Sequence, residues 1–474
     1  MADSLSCSIL TPTDNSSGTT LAKKDKVTAK FLEGSILWHV ITLTITSAIG
    51  LVSLFAVDLI DLYFLSLLDN QAIVAALGFA ASIMFFNMSF SIGLSIAMSA
   101  TVAKALGAKQ QLQARALAIN NFVFSCSFTA LIALITWLFR WELLGVVGAT
   151  GQSREYADQY LAIILPSLPL LAVAMSGGSL LRAMGSPKLS MVAMLTGSAV
   201  NLALDPILIF TAGLGLEGAA YASVVARAAV AGCAAYFIYA RHDFWCNFSV
   251  SCFRKDLSVI LKIAVPAMAT QFSTPFANAY MTYEIAKFGE AYMAGWSLTG
   301  RMTPVVFGVI FALSAAVGPI YAQNFGAQNF ARVRRTLFDS CLFVTAYCIV
   351  ASLIFYLGIE PLIRWFGAEG EAAQFMRFVG VWIGPAFAFY GFLFVANAAF
   401  NNLGYPFVST AFNFAKATIG TIPFVLVGVS FLGAEGVFAG HTAGNIVFGI
   451  AGISCCFYII NKLARKTEPD AAAA

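Results

Sequence analysis

NLALDPILIF, residues 201–210, sets an amide (Asn201), a carboxylate (Asp205) and a helix-breaking proline (Pro206) inside an apolar run. In a bilayer, a charge near the middle of a helix costs about 2.5–3.5 kcal/mol on insertion scales. Proline frees a backbone carbonyl that lipid cannot satisfy. Two such features side by side mark a site if the run crosses a membrane, and composition decides that it does. Of 474 residues, 59% are hydrophobic and only 11% charged, where a soluble domain carries about 25% charged residues. Strand-like alternation is absent, so helices are the spanning elements. The chain reads as an all-α polytopic membrane protein.

Between polar ends the body divides into twelve apolar runs, each long enough to cross a core of roughly 30 Å at 1.5 Å per residue. The first six are 36–64, 73–103, 116–139, 156–181, 189–211 and 218–240. The second six are 259–286, 291–321, 336–358, 371–400, 408–431 and 438–461. Basic residues such as Lys104, Lys109, Arg115, Arg182, Lys188, Arg241, Arg332, Arg334 and Arg335 fall in the even-numbered turns, with more in both tails. The opposite side holds only Arg140, Arg154, Lys287, Arg364 and Arg377. By the positive-inside rule both termini are cytoplasmic. The net charge of +4 therefore reports topology and no nucleic-acid binding. Residues 1–34 are polar, without a secretory pattern, and read as a flexible cytoplasmic tail; 463–474 reads as a cytoplasmic tail. The nine cysteines show no C-x-x-C pair and no zinc spacing, so those within spans read as small apolar filler.

The two halves repeat. ALGAKQQLQAR (105–115) matches NFGAQNFARVR (324–334), aligning Gly107 with Gly326 and Arg115 with Arg334. LLRAMGSPKLS (180–190) matches AFNNLGYPFVS (399–409), aligning Gly185 with Gly404 and Pro187 with Pro406; LEGAA (216–220) and AEGVF (434–438) follow. A near-constant offset gives two homologous six-helix lobes, an amino lobe 35–241 and a carboxyl lobe 258–462, joined by a cytoplasmic linker 242–257. Six spans is an even number, so the copies share orientation and relate by an axis along the membrane normal.

Three stretches, VDLIDLYFLS (57–66), NLALDPILIFTAGLGLEGAAYAS (201–223) and GPIYAQNFGAQNFARVRR (318–335), resemble the multidrug and toxic compound extrusion (MATE) family, and within it the DinF-like branch. The resemblance runs over about residues 33–460. It implies a V-shaped pair of six-helix bundles exporting organic cations against an inward flow of protons or sodium, with no other cofactor. It also implies a cation site in the amino lobe, formed by Asp61 late in the first helix, Asn201 and Asp205 in the fifth, and Ser223 in the sixth.

The residues support that site independently. Asn201 and Asp205 are i, i+4 and share a helix face, as Asp58 and Asp61 do at i, i+3. Clustered carboxylates in a low dielectric cannot all carry charge, so the cluster holds a proton or a metal cation such as sodium. Shifted by the repeat offsets, Asp61 maps to Tyr280, Asp205 to Ile422 and Pro206 to Pro423. The proline is kept in both copies and the acid in one, so the acid reads as functional and its neighbour as architectural. The first helix has Thr46-Ser47 where relatives carry a proline, while the second lobe keeps Pro266, which puts a proline-bending mechanism in doubt. Thr274 and Gly391 or Phe392 stand where the other branch places acids, so no carboxyl-lobe acid site is expected.

Met175, Phe210, Tyr221, Phe276, Tyr280 and Arg301 are candidates for a substrate cavity, through ring faces and soft sulfur. Glu284 reads as solvated near an outer end. Arg227 and Lys416 lie inside spans and need a cavity or a carboxylate; Lys416 is awkward for a site that receives cations. The leading function is a secondary multidrug antiporter for amphipathic, often cationic compounds, monomeric, in the bacterial inner membrane among lipids. The alternative is a flippase for lipid-linked saccharides. H-E-x-x-H, G-x-S-x-G and P-loop motifs are missing, so neither an enzyme nor an ATP-driven pump is expected.

Overall fold

The computed structural model describes residues 27–68 and 71–472. In chain order its helices are α1 Ile36–Ser66, α2 Gln71–Gly107, α3 Gln111–Leu138, α4 Arg140–Val146, α5 Gly151–Ile164, α6 Leu168–Ala183, α7 Pro187–Pro206 and α8 Gly215–Tyr236. Then come α9 Val250–Ala286, α10 Glu290–Gly326, α11 Phe330–Trp365, α12 Gly370–Asn402, α13 Pro406–Ala417, α14 Ile422–Leu432 and α15 Ala434–Ala472. Among the described residues, eleven stretches are long and apolar enough to cross a membrane, with α5–α6 and α13–α14 each counted as one. The number is twelve when α12, bent by 44° between Gly384 and Ala386, is counted as a span. The chain is a multi-pass membrane protein.

Four local departures from the sequence reading have physical reasons. The fourth span breaks at Leu165–Ser167, where Pro166 offers no amide hydrogen. The fifth ends in a wide π turn, Ile207–Thr211, just after Pro206, which removes one donor from the ladder. The eleventh is split between α13 and α14 by residues 418–421. The carboxyl tail expected from 463 continues α15 as helix to Ala472. Of the expected amino tail, residues 1–26 lie outside the described residues, and the remainder is docked. Arg332 donates to the carbonyls of Phe31, Glu33 and Gly34 at 2.9, 3.1 and 3.1 Å, and Phe31 is buried.

Two compact units divide the chain, one of residues 1–30 and 60–264, the other of 31–59 and 265–474. These boundaries differ from the expected lobes. Most of α1 packs within the second unit and its last turns within the first, and α9 is likewise divided after Ala264.

Between helices in lipid there is no hydrophobic drive, so close backbone approach through small residues carries much of the packing. In the second unit, Gly436, Gly440 and Gly444 on α15 face the backbone of Gly428, Phe424 and Gly420. A methyl group at Gly444 would sit 1.6 Å from the Gly420 carbonyl oxygen. In the first unit, Gly218 on α8 meets the Leu208 carbonyl, where an added Cβ would lie 2.7 Å away. Gly218 and Gly436 are the glycines aligned by LEGAA and AEGVF, so the repeat preserves a contact as well as a pattern. The other aligned signals also have a structural cause. Gly185 and Gly404 both take positive φ, 74° and 90°, ahead of the Pro187 and Pro406 that open α7 and α13. Lys109 and Gln328, again at equivalent positions, share φ values of 61° and 57°.

Candidate functional site

Asp205 lies in the last turn of α7 and is fully buried, and Asn201, one turn earlier on the same face, is 4% exposed. Asp61, near the end of α1, is half-buried. The Asn201 amide nitrogen joins all three. It donates to both Asp61 carboxylate oxygens at 3.1 and 3.0 Å and to Asp205 Oδ2 at 3.1 Å. An amide nitrogen has two hydrogens, so its donor capacity is spent on two carboxylates.

Among the described residues the second oxygen, Asp205 Oδ1, is buried and accepts no hydrogen bond. A buried acceptor left unpaired costs about 1–3 kcal/mol. Two full negative charges a few ångströms apart repel by roughly 4 kcal/mol at an effective dielectric constant of 20. A neutral amide cannot offset either cost. A proton on one carboxyl removes most of both, and so does a small cation among the oxygens. The donor atoms are carboxylate oxygens only, which suits a proton or a hard cation. Among the described residues no group of three or more His, Cys, Asp or Glu side chains gathers to hold a metal ion. One turn past the acids, Leu65 and Ile209 are buried with Ile73, Leu216 and Ala219 in a small apolar cluster, which limits water beside Asp205.

Three of the five expected cation-site residues are thus brought together. Asp58 stays exposed one turn before Asp61. Ser223 is half-buried on α8, and its hydroxyl makes none of the bonds that join the other three. Its level is nevertheless right, because α8 runs antiparallel to α7 with Gly218 against Leu208 and Gly197 against Ala226.

Of the cavity candidates, Phe210, Tyr221 and Phe276 are exposed, while Met175 and Tyr280 are half-buried. Phe210 packs edge-on against Phe64 with ring centroids 6.0 Å apart. The side chain of Arg301 lies outside the described residues. A shallow apolar groove along α11 and α12, lined by Ile349, Ser352, Tyr356, Gly380 and Gly384, includes none of these candidates.

Charged residues inside spans find partners in the structure. Arg227 donates to Ser167 Oγ at 2.7 Å and to the Ile164 carbonyl at 3.3 Å, capping the break between α5 and α6. Glu284 is not solvated as expected; it is 5% exposed and paired with Lys287 at 2.8 Å. The i, i+3 spacing of that pair was visible in the sequence, but its burial was not. Thr46 bonds back to the Thr42 carbonyl at 2.7 Å, and α1 runs without a break through Thr46-Ser47. Pro266 is retained, and its carbonyl accepts from Thr270 and Thr410.

The family model described as MatE matches this chain twice, over residues 46–207 and 266–427. The chain belongs to the MatE family. The two matches coincide with the internal repeat. This MatE chain is 23% identical to the FAD transporter of Shewanella oneidensis over 91% of its own length and 96% of that protein. It is equally 23% identical to Multidrug export protein MepA of Staphylococcus haemolyticus, over 93% and 97% of the two chains. Among solved structures it resembles the Vibrio cholerae MATE transporter VcmN in the bent form, with 28% identity and a TM-score of 0.84. That likeness covers 91% of this chain and 97% of that one.

Proposed function

We propose that this protein is a secondary active efflux antiporter that exports amphipathic, often cationic organic compounds in exchange for protons or sodium. The observation that carries the reading is the Asp61–Asn201–Asp205 constellation, two acids on one amide with a buried carboxylate oxygen that lacks a donor among the described residues. Of the two ions the proton fits better. The Asn201 amide turns its nitrogen to both acids, and a proton shared by the carboxylates needs no further ligand, whereas a sodium ion takes several oxygens. Loading the acids relieves their repulsion, and unloading restores it, so the occupancy of the pair biases the surrounding helices between two packings. A MepA protein being a multidrug exporter supports the substrate class, and membership of the DinF-like branch is proposed on the same acids.

The lipid-linked saccharide flippase is not favoured. A pyrophosphate groove needs several basic side chains in one place, and the Arg227 guanidinium is bonded to Ser167 and Ile164 in the first unit while Lys416 belongs to the second. The proposed setting is a bacterial plasma membrane, which the bacterial relatives support, with the protein a monomer and both termini cytoplasmic by the positive-inside rule.

The test is efflux of ethidium from cells lacking their own pumps. Asp205→Asn, which keeps the shape and one acceptor oxygen but removes the charge and the titratable proton, abolishes efflux while membrane abundance stays unchanged. Efflux at the unmodified rate would sink the reading.

A further inference from the structure

In the second unit, Lys416 stands in the last turn of α13, beside the 418–421 break, and is 5% exposed. Among the described residues it ion-pairs with no carboxylate and its ammonium donates to no oxygen; its contact is the face of Tyr390, 4.2 Å from the ring centroid. A buried ammonium held only by a ring is far from satisfied, because it has three donors and a ring supplies none of the oxygens they need.

The surroundings are aromatic. Tyr390 packs on Phe394 with centroids 4.5 Å apart and on Phe387 at 6.0 Å. Phe311 closes the group, 5.8 Å from Phe394 and 6.2 Å from Phe387. The helix break adds polar atoms. The Thr421 hydroxyl donates to the Lys416 carbonyl at 2.9 Å and lies 3.5 Å from His441 Nδ1. That bond occupies the carbonyl of Lys416 and leaves its ammonium alone.

We propose that Lys416 and this ring cluster form a subsite for an aromatic anion, a flat ring system carrying a carboxylate or phosphate. The rings supply stacking surface, and the anionic group takes the ammonium's unused donors. An anionic phospholipid headgroup would satisfy the ammonium equally but would make no use of the ring cluster. A subsite of this kind extends the cargo range beyond cations, so it rests on the transport reading. It does not depend on the coupling acids.

The experiment uses two probes that differ by one group, riboflavin and flavin mononucleotide, titrated by fluorescence quenching into the full chain in phosphatidylcholine nanodiscs. Flavin mononucleotide is expected to bind at least tenfold tighter than riboflavin. Lys416→Arg keeps the preference and Lys416→Met removes it. Equal binding of the two probes by the unmodified protein, or binding of neither, overturns the proposal without any variant having to fold. A preference that survives in Lys416→Met also overturns it. Loss of the preference when phosphatidylglycerol is added assigns the ammonium to lipid and overturns the aromatic ligand. None of these results touches cation export, which fails only in a transport assay.

Discussion

Asn201 is the residue on which the coupling site turns. Its amide is the link between Asp61 and Asp205, so Asn201→Ala leaves both acids short of a donor, at about 1–3 kcal/mol. Ethidium export should fall roughly tenfold, since about 1.4 kcal/mol is a factor of ten, with membrane abundance kept. An unchanged rate would mean that the amide only fills space. Lys287 allows a separate prediction. Its hydrogen bond to Glu284 holds the ammonium above the usual lysine range. Stability from a raised lysine is fully present below the unfolded value of about 10.4 and is lost as pH rises through the folded value. Between pH 6 and 9 the pair therefore contributes a constant amount. Melting curves in detergent should show an alkaline loss above pH 10 that Glu284→Gln removes. Any pH dependence of transport near neutrality then belongs to other groups.

Helix packing in this chain depends on positions that lack a Cβ. Gly444→Val would drive a side chain into the Gly420 carbonyl and should cost about 2–4 kcal/mol, seen as a lower melting temperature or loss of folded protein. Gly232→Ala, on α8 with nothing within 4 Å of the added carbon, should be neutral or stabilising by up to about 1 kcal/mol. Equal behaviour of the two variants would contradict the close-packing account. The long helices were legible because membrane thickness sets their length. Their interruptions were less so. Pro166 and Pro206 carry a sequence signal for the breaks beside them, whereas the split at 418–421 follows a Thr-Ile-Gly-Thr run with no proline until Pro423. There Pro423, the repeat equivalent of Pro206, stands in the first turn of α14 without an amide hydrogen for residue 419, and Gly420 is pressed against Gly444.

For the whole molecule, the repeat was the most informative feature of the sequence, because Gly185 and Gly404, Gly218 and Gly436, and Pro187 and Pro406 answer to backbone requirements that both halves share. The acids were legible for the opposite reason: the second copy lacks them. Partner choice was not legible. Nothing in the spacing of Arg227 or Lys416 names Ser167 or the Tyr390 ring, since those pairings arise only when distant helices pack, and the local Glu284–Lys287 spacing does not tell that Glu284 is buried. The exchange of residues 31–59 into the second unit was equally hidden, because α1 is one unbroken apolar run. The central claim is that the Asp61–Asn201–Asp205 group couples export to an incoming cation. The measurement that tests it most directly is ethidium transport by purified protein in liposomes, with a proton gradient and a sodium gradient imposed separately. Transport driven by the proton gradient and absent in Asp205→Asn is the predicted result. Gradient-driven transport that persists in Asp205→Asn at the unmodified rate would contradict it.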